Sequence, residues 1–161
     1  MSIRAKIILG QVIGLAWAVT VVWLPMTMSA PFMPLNTVMI TALMPGGLVL
    51  LAMVSMIALR RLFDSSVIAG GALHPGSRAE IDQRALSNTL EQLVVAIVLW
   101  PFAALTLGGF VVLWMGISFA LARLVYWLGY HVSPLVKSVG FGATFYPTVL
   151  ATLWAVLKWA T

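Results

Sequence analysis

Long uncharged apolar runs constrain this chain more than any other feature of its sequence. Residues 7–24 and 37–59 contain no charged side chain, and about 20 such residues suffice to carry a helix across a bilayer. Of the 161 residues, 62% are hydrophobic and only 8% are charged, whereas soluble domains are about 25% charged. A water-soluble domain and a disordered chain are therefore both excluded.

The runs predict an all-α integral membrane protein with five membrane-spanning helices. The first run follows two basic residues, Arg4 and Lys6, as the core of a signal peptide would. Its length, and the Pro-rich turn that leads directly into the next run, favour a retained helix. The predicted spans are residues 7–24, 37–59, 84–107, 110–130 and 139–159.

Basic residues are distributed unequally between the two ends of these spans. With five spans, one side of the membrane receives most of the cations and the other receives Lys158. Cytoplasmic loops are enriched in Lys and Arg, so we expect the N-terminus and the long polar segment 62–83 in the cytoplasm. Cations scattered in this way form no continuous face for nucleic acid. The cytoplasmic group comprises Arg4, Lys6, Arg60, Arg61, Arg78, Arg84 and Lys137.

Residues suited to metal or thiol chemistry are scarce. The chain has no cysteine, which excludes disulfides and a cysteine nucleophile, so a thiol must come from another molecule. His74 and His131 stand without partners at metal-ligand spacing, and we expect no metal site. Asp82 lies just before the third span and is expected to cap that helix.

The third predicted span opens with polar side chains that share one face. Arg84, Asn88 and Glu91 stand at positions i, i+4 and i+7, which lie close together on a helix. Glu91 lies deeper in a predicted span than the other acids. A carboxylate buried in this way must be protonated or paired with a cation from the protein or from a ligand.

The fourth predicted span carries a matching stripe. Arg123, Tyr126 and Tyr130 stand at i, i+3 and i+7, and Lys137 continues the same phase if the helix persists past Pro134. Two facing stripes would suit a small zwitterion with two carboxylates and one ammonium, such as glutathione. The alternative is an ion pair between helices, with the tyrosines in the interfacial belt.

Three motifs follow one another along the chain: Arg60-Arg61-Leu62-Phe63, Arg84-Ala85-x-x-Asn88-x-x-Glu91 and Ala122-Arg123-x-x-Tyr126-x-x-Gly129-Tyr130. In the same order, they resemble those of the membrane-associated proteins in eicosanoid and glutathione metabolism, the MAPEG superfamily. This group includes microsomal glutathione transferases. The sequence is most similar to bacterial-type members, which implies a bacterial inner membrane.

The resemblance implies a four-helix transmembrane bundle over residues 37–161, preceded by an extra helix and a Pro-rich turn over residues 1–36. It also implies a homotrimer in the lipid bilayer that binds glutathione between adjacent subunits. Glutathione, or another low-molecular-weight thiol, would serve as the co-substrate.

The same resemblance implies roles for individual residues in thiol binding. Arg84 would bind a glutathione carboxylate, Asn88 the peptide group and Glu91 the ammonium. Tyr126 and Tyr130 would line the cleft. Two further cations, Arg60 and Arg61, would reach the same pocket.

The implied activity is that of a glutathione-dependent transferase or peroxidase acting on lipophilic small molecules in the membrane. Lys137 or Arg123 would supply the positive charge that stabilises the thiolate. Lys137 stands where leukotriene synthase has an arginine, and this difference favours the alternative of a non-enzymatic lipid-binding or scaffold protein of the same fold. Transport is a third hypothesis, disfavoured because the first two predicted spans contain no charge.

Overall fold

The computed structural model describes residues 1–29, 31–64 and 67–161, and these residues form five long helices. Each helix is long and apolar enough to cross a membrane. The chain is therefore an integral membrane protein, as the apolar runs predicted. The helices are α1 (Ile3–Met26), α2 (Leu35–Leu62), α3 (Arg78–Leu107), α4 (Gly109–Val132) and α5 (Pro134–Ala160).

Helix α3 begins six residues before the predicted start of its span. The Ser77 side chain caps it by accepting a hydrogen bond from the backbone N–H of Glu80, at 3.2 Å. The prediction that Asp82 caps this helix is therefore wrong, because Asp82 lies in its second turn. The early start brings two carboxylates of the polar segment into a membrane helix.

Helix α5 also begins earlier than predicted. Ser133 alone separates it from α4, and the Ser133 hydroxyl accepts a hydrogen bond from the Val136 N–H at 3.3 Å. Pro134 occupies the first position of α5, where the missing N–H of proline carries no cost. Lys137 thus lies in the first turn of a new helix, not on a continuation of α4.

Helices α2, α3, α4 and α5 pack around a common apolar core. Trp100 of α3 is buried and meets the Phe119 ring of α4 edge-on, with ring centroids 5.9 Å apart. The Trp100 indole N–H also donates to the Thr148 hydroxyl of α5 at 3.1 Å. These two buried polar side chains are in this way satisfied by each other across neighbouring helices, as lipid requires.

Helix α1 packs along α5 through small residues. A Cβ atom added at Gly14 would lie 2.7 Å from the Cα of Gly142, and one added at Gly10 would lie 2.6 Å from the Ser138 Cβ. This close approach of backbones is typical of small-xxx-small interfaces in membranes. The Trp17 indole N–H ties α1 to α4 by donating to the Ser118 hydroxyl at 2.7 Å.

Small residues also bring α4 and α5 close together. The Gly129 Cα faces the Lys137 backbone, and Gly140 faces the Tyr126 backbone. A side chain at either glycine would collide with main-chain atoms of the other helix. The two glycines therefore set how near the first turns of α5 come to the tyrosines of α4.

We expect Gly14→Ala to lower the free energy of unfolding by about 1–3 kcal/mol, because its methyl group would overlap the α5 backbone. The control is Gly47→Ala, since a Cβ atom there has open space and alanine favours a helix. Thermal unfolding in detergent measures both. Equal midpoints for the two variants would contradict the tight α1–α5 interface.

Candidate functional site

The polar stripe on α3 meets the stripe on α4 through an amide. The Asn88 side-chain N–H₂ donates to Glu91 Oε2 at 3.3 Å, and Arg123 Nη1 donates to Asn88 Oδ1 at 2.9 Å. Within the described residues, Glu91 forms no ion pair. The direct Glu91–Arg123 pair that the sequence left open is therefore not formed, because Asn88 stands between the two charges.

Arg123 is held inside the bundle, with an exposed fraction of 0%. Its Nη2 donates to the Thr144 hydroxyl of α5, and its guanidinium carbon lies 4.4 Å from the centroid of the Tyr126 ring. Its Nε is buried without a hydrogen-bond partner among the residues that the structure describes. The Arg123 guanidinium, a permanent cation, is thus fixed between α3, α4 and α5, with the ring of Tyr126 against it.

The network continues along α4 to the start of α5. The Tyr126 hydroxyl donates to the Tyr130 hydroxyl at 3.3 Å, and the two rings meet edge-on. Lys137 Nζ lies 4.6 Å from the centroid of the Tyr130 ring. Both Tyr130 and Lys137 line a cavity of about 190 Å³ between the end of α4 and α5. Six of the predicted site residues thus form one connected series, from Glu91 to Lys137.

Three other predicted site residues lie outside this series within one protomer. Arg84 is exposed and pairs with Glu80 one turn earlier, with Nη2 2.6 Å from Oε1. Arg61 Nη1 donates to the backbone carbonyl of Gly71 at 3.3 Å. Arg60 pairs with Asp82. Arg84 and Glu91 nevertheless share the outward side of α3, since both are exposed.

A buried carboxylate, Asp82, forms a second polar cluster that sequence reasoning missed. Its side chain is 1% exposed, and donors from two other helices surround it. Arg60 Nε of α2 lies 2.6 Å from Oδ2, while the Trp127 indole N–H and His131 Nε2 of α4 each lie 2.7 Å from Oδ1. The sequence analysis considered His131 only as a metal ligand and did not anticipate this contact with Asp82.

One signal in the sequence pointed to this cluster. Trp127 and His131 stand at i and i+4 near the end of a predicted span, so they share a face. Because the indole and the imidazole both carry N–H donors, this face of the helix needs a hydrogen-bond acceptor from a neighbouring helix. Among the described residues, no group of three or more His, Asp or Glu side chains is arranged to hold a metal ion.

A comparison with protein families shows to which family this chain is related. The MAPEG family matches residues 37–157, three quarters of the chain. The chain belongs to the MAPEG family. Neither the curated proteins nor the solved structures include a match to it.

The MAPEG match includes every residue of the two polar clusters. It begins in α2, two residues after the helix starts, and ends in the last turn of α5. The all-helical membrane fold predicted from the sequence is confirmed as a MAPEG fold. Helix α1 precedes the matched range and packs on α5 and α4.

We expect Asp82→Asn to destabilise this MAPEG protein by about 1.5–3 kcal/mol, because Arg60, Trp127 and His131 would lose a charged acceptor. Glu80→Gln is the matched control, since it makes the same chemical change at an exposed pair, where the effect should be much smaller. Thermal unfolding in detergent compares the two. Indistinguishable midpoints would mean that Asp82 does not hold the three helices together.

Proposed function

We propose that this MAPEG protein is a glutathione-dependent transferase or peroxidase acting on lipophilic electrophiles in the membrane. The observation that carries the proposal is the connected series from Glu91 to Lys137. It places a carboxylate, an amide, two phenols and two cations along three helices. Glutathione has complementary groups, and its thiol supplies the sulfur that this cysteine-free chain lacks.

The outward side of α3 supports binding between subunits. Glu91 is exposed on a membrane-spanning helix, and a carboxylate facing lipid is costly unless a cation covers it. We propose that the ammonium of glutathione meets Glu91, that Asn88 binds the peptide group and that Arg84 binds a carboxylate. A homotrimer would cover this side of α3 with the adjacent subunit and close the cleft.

Lys137 and Arg123 would supply the positive charge near sulfur, in different ways. Both Nη atoms of Arg123 are engaged, by Asn88 and Thr144, so its charge is fixed in place. Lys137 forms no ion pair with the described residues and lies on the wall of the cavity beside Tyr130. Lys137 is therefore the cation better able to approach a thiolate, which a positive charge favours.

Arg60 and Arg61, the remaining predicted cations, have smaller proposed roles in glutathione binding. Arg60 would have to leave Asp82 in order to reach glutathione, and we place it outside the site. Arg61 is held only by a backbone carbonyl among the described residues, so it is the better candidate for a carboxylate. The concentration of Lys and Arg at this end of the bundle supports our proposal that this end lies on the cytoplasmic side.

We expect the purified protein to bind glutathione and Glu91→Gln to bind it about 10-fold or more weakly, because a charge-assisted hydrogen bond to the ammonium is lost. Isothermal titration calorimetry measures both affinities, and Lys158→Gln, which also removes one charge but lies at the far end of α5, is the control. Equal affinity in Glu91→Gln would remove this residue from the site.

We expect Lys137→Gln to reduce turnover of an aryl-halide electrophile about 10–100-fold, since less bound glutathione would be thiolate. Lys158→Gln, at the far end of α5, is the control and should retain wild-type turnover. Thiolate absorbance and product formation are measured on the same samples. Binding of glutathione by the wild type without any turnover would favour the scaffold alternative.

A further inference from the structure

The hydrogen-bonded pair formed by Asp82 and His131 lies outside the series of residues from Glu91 to Lys137. A histidine whose ring nitrogen is hydrogen-bonded to a buried carboxylate is the arrangement that orients a general base in many hydrolases. Here it stands at the end of α4, next in sequence to Tyr130. His131 therefore lies close enough to the proposed thiol site to be considered as the acceptor of the thiol proton.

The Asp82 carboxylate fixes the state of the His131 ring. Asp82 Oδ1 also accepts from the Trp127 indole, and Oδ2 accepts from Arg60, so both oxygens of the carboxylate act as acceptors. His131 Nε2, 2.7 Å from Oδ1, must therefore carry a hydrogen. In the neutral ring, Nδ1 then has a free lone pair that can take up a proton.

The His131 side chain reaches the proposed site. It is 28% exposed, whereas Asp82 is 1% exposed, so the carboxylate is shielded while the imidazole is accessible. His131 lines the same cavity of about 190 Å³ as Tyr130 and Lys137.

Charged and titratable groups face this imidazole from every helix around it. Asp82 faces it from α3, and Arg60 of α2 reaches it through the shared carboxylate. Lys137 of α5 and Tyr130 of α4 share its cavity. Lys137 is a cation without a free lone pair, so it stabilises a thiolate but does not accept its proton. The imidazole lines the same cavity and offers a nitrogen lone pair that can accept the thiol proton.

We propose that His131 is the general base that deprotonates the thiol, and that Asp82 is the residue that positions it. The inference rests on the proposed function. The thiol proton moves to His131 Nδ1, and the thiolate sulfur attacks the electrophilic carbon of an aryl halide. A carbon–sulfur bond forms, the carbon–halogen bond breaks and halide leaves. His131 then releases its proton to water.

The decisive experiment compares His131→Gln with Trp127→Phe in the full-length protein. Each substitution alters one donor to the same Asp82 oxygen, but only the first removes a base. Glutamine also retains a donor for Asp82. The readout is kcat/KM for glutathione with an aryl halide across the neutral pH range, together with the calorimetric Kd for glutathione.

We expect His131→Gln to lose about 100-fold in kcat/KM near pH 7 while its Kd for glutathione is unchanged. Its rate should rise about tenfold per pH unit, because hydroxide replaces the lost base. Trp127→Phe should keep the wild-type pH profile. A His131→Gln profile parallel to that of the wild type, or equal losses in both variants, would overturn the inference.

A second measurement applies if His131→Gln does not fold. His74→Gln leaves His131 as the one histidine of the chain, and diethyl pyrocarbonate then reacts with that imidazole. Activity that falls in step with modification, and returns when hydroxylamine removes the histidine adduct, supports the base. Full modification with activity retained overturns it. A wild type that binds no glutathione and turns over no aryl halide instead contradicts the proposed function itself.

Discussion

The need to partner charges that are buried inside a membrane protein determines how this bundle is assembled. Asp82 and Arg123 are both almost completely buried in one protomer, and each is surrounded by hydrogen-bonding groups from other helices. In lipid, such groups are stable only when satisfied from within the protein. The two residues therefore act as the points where α2, α3, α4 and α5 are joined.

Helix α4 links the two clusters, because its last turns present two different faces. Trp127 and His131 point to the Asp82 carboxylate of α3, whereas Tyr126 and Tyr130 lead toward Lys137 of α5. Neighbouring residues on a helix are turned by about 100°. A substitution that shifts Trp127 or His131 is thus expected to move Tyr126 and Tyr130 as well, because all four side chains are attached to the same turns of α4.

The polar stripes within single helices could be predicted from residue spacing, since helical periodicity is local. Arg123, Tyr126 and Tyr130 do share one face of α4, and Asn88 does contact Glu91. Lys137 reaches Tyr130 by a different route from the one predicted. The helix breaks at Ser133, and the close approach at Gly129 returns Lys137 to the same tyrosine.

The Asp82 cluster could not be predicted in the same way, because its partners are distant in the chain. Arg60 is 22 residues away and His131 is 49. An acid ahead of an apolar run is also a good helix cap by local rules. Ser77 takes that place instead, and the carboxylate is carried into the bundle.

The sequence by itself determined five membrane-spanning helices, the faces on which polar side chains lie, and membership of the MAPEG family, because hydropathy and spacing are local properties of the chain. The tertiary structure alone decided which charges meet. Only the packing of α2, α3 and α4 makes Asp82 the acceptor for Arg60, Trp127 and His131, and leaves Glu91 and Arg84 facing outward.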